Sequence, residues 1–236
     1  MDRRLTQDAG IWLSASRRTA IRAARRRLSL EALLEERIYQ RLVSDRALER
    51  GVERHLARTL ASVENANVRA GRLLDNLVTP MPVRRVEVRR PAPVKVLLRY
   101  YRRAQSRFGV PWNVLAAINF VESHFGRDLG PSASGALGPM QFLPSTWSLY
   151  GSGGDVMSPH DAILAAARYL RASGAPSAMR RALLAYNPSD AYVTAISIYA
   201  REMKRSKVAS YAYYFWQVFV RTNKGLVQLT GPGRHE

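Results

Sequence analysis

A series of helix start and stop signals between residues 96 and 205 constrains this chain more than any other feature of its sequence. Gly109 and Gly174 each close an amphipathic segment, as glycine does at helix C-termini. Ser158 precedes Pro159, which is the order expected of an N-cap and a first helical residue. No alternation with a period of two interrupts these segments. We therefore predict a mainly α-helical domain over residues 96–205.

The same signals predict where the individual helices begin and end. On the second helix, Val114, Ile118 and Val121 fall on one apolar stripe at helical spacing. A loop rich in glycine and serine separates this helix from the third one. The predicted helices cover residues 97–108, 111–124, 144–150, 159–173, 178–185 and 189–203.

The rest of the chain divides into three stretches of different composition. Residues 1–78 are basic, with apolar residues at helical spacing, and we predict a basic helical arm or hairpin there. Residues 79–95 contain four prolines and four arginines, which predicts an extended linker because proline disfavours helix. Residues 206–236 form an aromatic C-terminal extension. Its run 211–220 is compatible with sugar stacking, although such runs more often form core or an interaction surface.

The chain carries a net charge of +19, spread over both halves of the sequence. This charge attracts polyanions such as nucleic acid, anionic lipid or acidic wall polymers, and it does not choose among them. We find no helix-turn-helix or RNP-like signature, and aromatic residues are not interleaved with the basic runs. A nucleic-acid partner is therefore not expected. An arginine-rich composition is also typical of a GC-rich genome.

Several classes of protein are disfavoured by what the sequence contains. There is no cysteine, and the four histidines lie far apart, so we predict no disulfide, metal or other cofactor. Charges interrupt every apolar run before the roughly 18–20 residues that a membrane-spanning helix needs. The printed N-terminus lacks the apolar stretch of a signal peptide.

Glu122 is the acidic residue that structural roles explain least. Residues 101–236 contain seven acids, and most of the others suit helix caps, turns or charged helix ends. Glu122 follows Ile118 by one helical turn, at the edge of the apolar stripe, where partial burial raises the pKa of a carboxyl group. Glycosidic cleavage requires a carboxylic acid that is still protonated near neutral pH. The alternative is a buried glutamate that binds a neighbouring backbone group.

Three motifs accompany Glu122 in a fixed order. Ser123 follows it directly, residues 132–141 read S-x-x-G-x-x-G-x-M-Q, and residues 185–187 read A-Y-N between two predicted helices. Glycines in such a loop allow a ligand to approach the backbone closely. In this order the motifs resemble the SLT-type lytic transglycosylases, which have a goose-type lysozyme fold. The resemblance covers roughly residues 100–205 and implies a lysozyme-like α-helical catalytic domain.

The resemblance also implies a role for each matching residue, with Glu122 as the sole catalytic acid/base. Ser134 is a rival to Ser132, which we prefer for its spacing to Gly135. The family often reads Ala-Tyr-Asn-Ala-Gly, whereas Pro188 and the following serine stand here after Asn, so the backbone after the Tyr-Asn pair must differ. The implied substrate-binding residues are Ser123, Ser132, Met140, Gln141, Tyr186 and Asn187.

The implied activity is cleavage of the β-1,4 bond between N-acetylmuramic acid and N-acetylglucosamine in peptidoglycan, with formation of a 1,6-anhydromuramyl end. Glycosidases usually use two carboxylates, and the apparent lack of a second one here is compatible with substrate-assisted chemistry. Two alternatives stay open: hydrolysis with the same glutamate, and a non-catalytic protein that binds glycan or polyanions. The substrate implies an extracytoplasmic location in the cell envelope, where the basic arm could contact anionic wall polymers.

Overall fold

The computed structural model of the protein describes residues 7–12 and 18–233, and it is mainly helical, as the sequence predicts. The strands β1 (Phe219–Thr222) and β2 (Gly225–Gln228) form an antiparallel hairpin near the C-terminus. Residues 7–12 are also helical. Parts of the basic N-terminal run and of the C-terminal extension lie outside the described residues. The helices are α1 (Arg18–Ser44), α2 (Arg46–Glu53), α3 (Arg58–Asp75), α4 (Val94–Phe108), α5 (Trp112–Ser123), α6 (Pro144–Tyr150), α7 (Pro159–Ala172), α8 (Met179–Tyr186), α9 (Asp190–Arg205) and α10 (Lys207–Phe215).

The helix signals act close to the predicted positions. Gly109 ends α4 in the left-handed conformation, with φ of 72°, which glycine adopts without steric cost. At the start of α7, the side chain of Ser158 accepts a hydrogen bond from the backbone N–H of Asp161. Pro111 is the N-cap residue of α5 and not its first helical residue. The predicted helix bounds therefore agree with the structure to within a few residues.

Helix α5 lies at the centre of the core. Leu115 and Ile118 are fully buried on it, and Ile163 of α7 and Ile196 of α9 are buried against the same cluster. Burying each of these side chains contributes about 1.5–3 kcal/mol to folding. Helices α4, α7 and α9 all contact α5. A polar side chain at the end of α5, such as Glu122, is therefore surrounded by other elements.

The helices of the predicted basic arm pack directly onto this core. Helix α3 packs along α9, and α1 contacts both α3 and α10. Leu28 and Ala32 of α1 and Ala70 of α3 belong to the same buried apolar cluster as Ile118. The described part of residues 1–78 thus shares one continuous core with residues 96–205. The division of the chain into separate domains stays a prediction.

The segment 79–95 and the aromatic run also pack against the rest of the molecule. The segment contains a short 3-10 turn, Val83–Arg85, and Val88 forms an isolated β-bridge with Asp128. Tyr213 and Trp216 of the aromatic run are buried, which confirms that this run is mainly core. Among the residues described here, no helix combines the length and the apolar character needed to cross a membrane.

Candidate active site

The chain turns sharply away from α5 directly after Glu122 and Ser123. His124 and Phe125 have left-handed backbone angles, with φ of 50° and 63°, and Gly126 follows with φ of 84°. A non-glycine residue in this region costs about 1 kcal/mol or more. The strained exit ends the helix one residue after Glu122. It also sends the following loop, residues 126–142, back beside the end of α5.

A buried polar network holds this loop against α5. The Asn119 amide donates to the carbonyl oxygen of Pro139 at 2.7 Å, and the Ser123 hydroxyl donates to the same oxygen at 2.7 Å. Tyr101 donates to Asn119 Oδ1 at 2.5 Å, and the N–H of Gly126 donates to Ser123 Oγ at 2.9 Å. The Ser123 side chain therefore faces the inside of the domain, where it positions the loop.

Glu122 is paired with a tyrosine from the other side of the site. The Tyr192 hydroxyl donates to Glu122 Oε1 at 2.6 Å. Burial raises the pKa of Glu122 to about 7, and the hydrogen bond from Tyr192 opposes part of that rise. The side chain of Glu122 is still partly accessible. A carboxyl group with this pKa can both donate and accept a proton near neutral pH.

Tyr186 belongs to the same group of side chains. Its hydroxyl donates to the carbonyl oxygen of Met140 at 2.6 Å, which joins the end of α8 to the loop. Burial raises the pKa of Tyr186 and of Tyr192, and the negative charge of Glu122 raises both further. Both phenols therefore stay protonated and act as hydrogen-bond donors. The structure thus brings together three predicted site residues, Glu122, Tyr186 and Met140, with Tyr192.

A row of partly accessible aromatic rings leads away from Tyr186. The ring centroid of Tyr169 lies 5.6 Å from that of Tyr186, and the ring of Tyr150 stacks on Tyr169 at 4.7 Å. Phe142 also packs against Tyr186, with ring centroids 6.0 Å apart. The three tyrosine side chains are neither fully buried nor fully exposed. Such rings offer flat apolar faces on which sugar rings can stack.

The remaining predicted site residues make contacts within their own segments. Ser132 Oγ accepts hydrogen bonds from the N–H groups of Ser134 and Ala136, at 3.2 and 2.9 Å. Gln141 has a left-handed φ of 48°, and its amide donates to the carbonyl oxygen of Gly138 at 3.1 Å. Asn187 is the C-cap residue of α8 and is partly exposed. None of these contacts reaches Glu122.

Other titratable groups near Glu122 have structural roles. Asp128 accepts the N–H of Gly130 at 3.1 Å, and burial raises its pKa. Burial and the charge of Arg127 lower the pKa of His124 to about 4, so its ring is neutral at pH 7. No group of three or more histidine, aspartate or glutamate side chains suited to a metal ion is found within the described residues.

Sequence reasoning did not single out Tyr192. It lies on the buried stripe of α9 with Ile196 and Tyr199, and only 3% of its surface is exposed. A buried tyrosine hydroxyl usually requires a hydrogen-bond partner, and this was the one available signal. Its partner is 70 residues away in sequence, so the pairing could not be read from local spacing.

The fold and this site together define a lysozyme-like domain: a buried central helix ends at a desolvated glutamate that a glycine-rich loop and a tyrosine surround. Residues 99–209, just under half of the chain, match the family model described as Transglycosylase SLT domain. This match identifies a transglycosylase SLT domain in residues 99–209, and an SLT domain implies lytic transglycosylase activity on peptidoglycan in general. No curated protein and no solved structure matches the chain.

Proposed function

We propose that this protein is a lytic transglycosylase that cleaves the β-1,4 bond between N-acetylmuramic acid and N-acetylglucosamine in peptidoglycan. The observation that carries the proposal is the raised pKa of Glu122 and its hydrogen bond from Tyr192, within an SLT domain. Its carboxyl group has a pKa of about 7 and is held by the hydroxyl of Tyr192. Glu122 is the only acid/base of the proposed reaction.

In the first step, protonated Glu122 donates its proton to the glycosidic oxygen. The bond between C1 of the muramyl residue and this oxygen breaks, and the leaving N-acetylglucosamine regains a hydroxyl group. The positive charge that develops at C1 is stabilised by the substrate's own N-acetyl group. The hydrogen bond from Tyr192 strengthens as the Glu122 carboxylate forms, because a charged acceptor binds a donor more tightly.

In the second step, the Glu122 carboxylate accepts the proton of the muramyl C6 hydroxyl while the C6 oxygen forms a bond to C1. The product has a 1,6-anhydromuramyl end, no water is consumed, and Glu122 is protonated again for the next cycle. One carboxyl group with a pKa of about 7 suits both steps, because either protonation state is accessible at neutral pH. A single residue therefore replaces the usual carboxylate pair.

The glycan would lie along the loop 126–142 and the row of tyrosine rings. Tyr186 binds the loop through Met140, so these two residues would shape the groove beside Glu122. Ser132, Gln141 and Asn187 would supply polar groups for sugar hydroxyl or acetamido groups. Ser123 would act on substrate through the loop, because its hydroxyl is committed to Pro139 and Gly126.

The basic arm would bring the protein to acidic wall polymers. Arg22, Arg25 and Arg26 are exposed on α1, and such cations attract anionic polymers. Since the substrate is a cell-wall polymer, the protein would act outside the cytoplasm, in the cell envelope. A salt titration of binding to purified walls, with DNA as the comparison, tests this part, because phosphate binding declines steeply with salt.

The variant Glu122→Gln tests the catalytic role. We expect about 1,000-fold or greater loss of wall lysis with the fold retained, because an amide cannot donate the first proton. The matched control is Asp128→Asn, which should keep most of the activity because Asp128 has a structural role. Retained lysis by Glu122→Gln would contradict the proposal. An equal loss in both variants would indicate a mechanism with two carboxylates.

Mass spectrometry of digested peptidoglycan tests the product. A 1,6-anhydromuramyl end supports the transglycosylase, whereas a reducing end would mean that water reaches C1 and that the protein is a muramidase-type hydrolase. Binding to purified glycan without any cleavage would mean a non-catalytic glycan-binding protein.

A further inference from the structure

The segment before α4 packs against the loop of the candidate site through its backbone. The N–H of Arg89 donates to the carbonyl oxygen of Arg127 at 2.8 Å. The N–H of Leu129 donates to the carbonyl oxygen of Glu87 at 3.0 Å. At the other end of the segment, the N–H of Met81 donates to the carbonyl oxygen of Arg221 at 2.9 Å. Residues 81–89 are therefore held in place at both ends.

The sequence of the loop is adapted to this contact. A Cβ atom at Gly130 would collide with the carbonyl oxygen of Arg85, so only glycine allows the two backbones to approach this closely. Gly130 lies two residues before Ser132. Its carbonyl oxygen accepts a hydrogen bond from the side-chain amide of Gln141 at 3.4 Å. The segment thus contacts the same loop that carries the predicted substrate residues.

A cavity of about 690 Å³ lies between the segment and the loop. Residues 84–87 line one side of it, and Ser132, Gly135 and residues 131 and 133 line the other. The segment lies before residue 99 and so outside the part of the chain that matches the SLT family model. This wall of the cavity is therefore an addition that the family match does not cover.

The cavity carries an unbalanced positive charge. Arg84 and Arg85 are exposed, and within the described part of the chain neither guanidinium group makes an ion pair or a hydrogen bond. Glu87 also lines the cavity, but its carboxylate is bound by Arg89 Nε at 2.7 Å. Two adjacent free guanidinium groups suit a carboxylate, which they can bind through parallel N–H···O hydrogen bonds.

We propose that this cavity binds a carboxylate of the peptide stem that the muramyl residue of the substrate carries. The inference rests on the proposed function, because it takes peptidoglycan as the ligand. The N-acetylated sugar rings carry no charge, and the lactyl carboxyl group of the muramyl residue is used in the amide bond to the peptide. The free carboxylates next to the glycan therefore belong to the peptide stem. Pro139 and Met140 of the same loop bind Ser123 and Tyr186 at the site, which links the cavity to the position of the glycan.

The kinetic test uses the double variant Arg84→Gln/Arg85→Gln and two substrates, intact peptidoglycan and the same glycan stripped of its peptides. We expect the ratio of kcat/KM for the intact over the stripped substrate to decrease about tenfold, mainly through KM. The double variant Arg84→Lys/Arg85→Lys should recover part of the ratio, because it keeps the charge and loses the planar geometry. An unchanged ratio in the glutamine variant would overturn the proposal.

The matched control is Arg99→Gln/Arg103→Gln, which removes two exposed charges one turn apart on α4, away from the cavity. Its ratio of kcat/KM for the two substrates should equal that of the unaltered protein. An equal decrease in both double variants would mean that the effect comes from total charge, and it would overturn the proposal.

A binding test separates this inference from the proposed function. Fluorescence anisotropy measures the Kd of a labelled disaccharide-peptide and of its peptide-free disaccharide for the Glu122→Gln protein, with and without the two glutamine substitutions. We expect about a tenfold rise in Kd for the disaccharide-peptide only. Because no turnover is needed, this result stands even if Glu122 proves not to be catalytic. An equal Kd for the disaccharide-peptide with and without the substitutions would exclude the carboxylate site.

Discussion

The hydroxyl of Tyr192 donates a 2.6 Å hydrogen bond to Oε1 of Glu122, from α9 to the end of α5. This bond lowers the pKa of Glu122 while burial raises it, and the balance lies at about 7. The proposed first step needs protonated Glu122, so activity should decline as the pH rises through this pKa. In Tyr192→Phe the pKa should rise by roughly one unit. The alkaline limb of the kcat/KM profile should therefore move to higher pH.

The control for this prediction is Tyr199→Phe. Tyr199 is buried on the same helix and packs against Phe120, with ring centroids 5.0 Å apart. Its replacement should leave the alkaline limb in place, because no hydrogen bond to Glu122 is lost. If the alkaline limb of the kcat/KM profile stays in place or moves to lower pH in Tyr192→Phe, the hydrogen bond from Tyr192 does not set the pKa of Glu122.

Ser123→Ala tests whether Ser123 positions the loop. The change removes the hydrogen bond to Pro139 and the side-chain acceptor of the Gly126 N–H, which keeps the backbone oxygen of Ser123 at 3.1 Å. We expect the free energy of unfolding, from urea titration, to decrease by about 1–2 kcal/mol. Ser134→Ala, at an exposed position of the same loop, should change it by less than about 0.5 kcal/mol.

A different outcome would give Ser123 the role in substrate binding that the sequence motif implies. In that case Ser123→Ala would raise KM for glycan while the urea midpoint stayed the same. Loss of stability together with loss of kcat would place its effect in the loop that borders Glu122.

Much of the fold follows from local signals in the sequence. Gly109 and Ser158 set helix ends through their own backbone and side chain, so neighbouring residues were enough to predict them. The same kind of reasoning applies to Glu122, because its place at the edge of the stripe of α5 predicts partial burial and a raised pKa, and the structure has both.

The features that the sequence did not predict depend on contacts between segments that lie far apart in the chain. The apolar spacing in residues 1–78 predicts helices, but nothing local indicates that α3 and α10 pack against α1. The inward orientation of Ser123 depends on a carbonyl oxygen 16 residues further along the chain. In the same way, the proline-rich composition of residues 79–95 predicts an extended segment and not the surface on which it packs. The boundary placed between residues 95 and 96 stays a prediction.

Tyr169→Ala tests the row of aromatic rings as a glycan surface. The ring of Tyr169 lies between those of Tyr186 and Tyr150, at 5.6 and 4.7 Å. Loss of one aromatic contact of about 1 kcal/mol should raise KM for long glycan chains about fivefold. Tyr169→Phe keeps the ring and should keep KM within about twofold, although it loses the hydrogen bond to Ala185. Equal KM values for the alanine and phenylalanine variants would exclude stacking at this ring.

Glu36→Gln tests how the arm is held to the C-terminal segment. Glu36 of α1 is buried, and its Oε2 accepts the N–H of Gln217 at 2.7 Å. Burial raises its pKa from 4.5 to about 8. Between these two values the unfolded chain has released the proton and the folded chain keeps it. The contribution of Glu36 to stability is therefore complete below pH 4.5 and is lost as the pH rises through about 8.

The glutamine side chain keeps an oxygen acceptor for Gln217 and cannot ionise. We expect Glu36→Gln to match the unaltered protein near pH 4 and to exceed its free energy of unfolding by roughly 3–5 kcal/mol near pH 9. Urea titrations at both pH values measure this difference, and Glu122 and Glu64, whose pKa values are also raised, affect both proteins equally. Asp190→Asn, at an exposed carboxylate, should show no such increase. A difference that does not grow with pH would mean that Glu36 is already ionised in the folded protein and that its bond to Gln217 is a charged one.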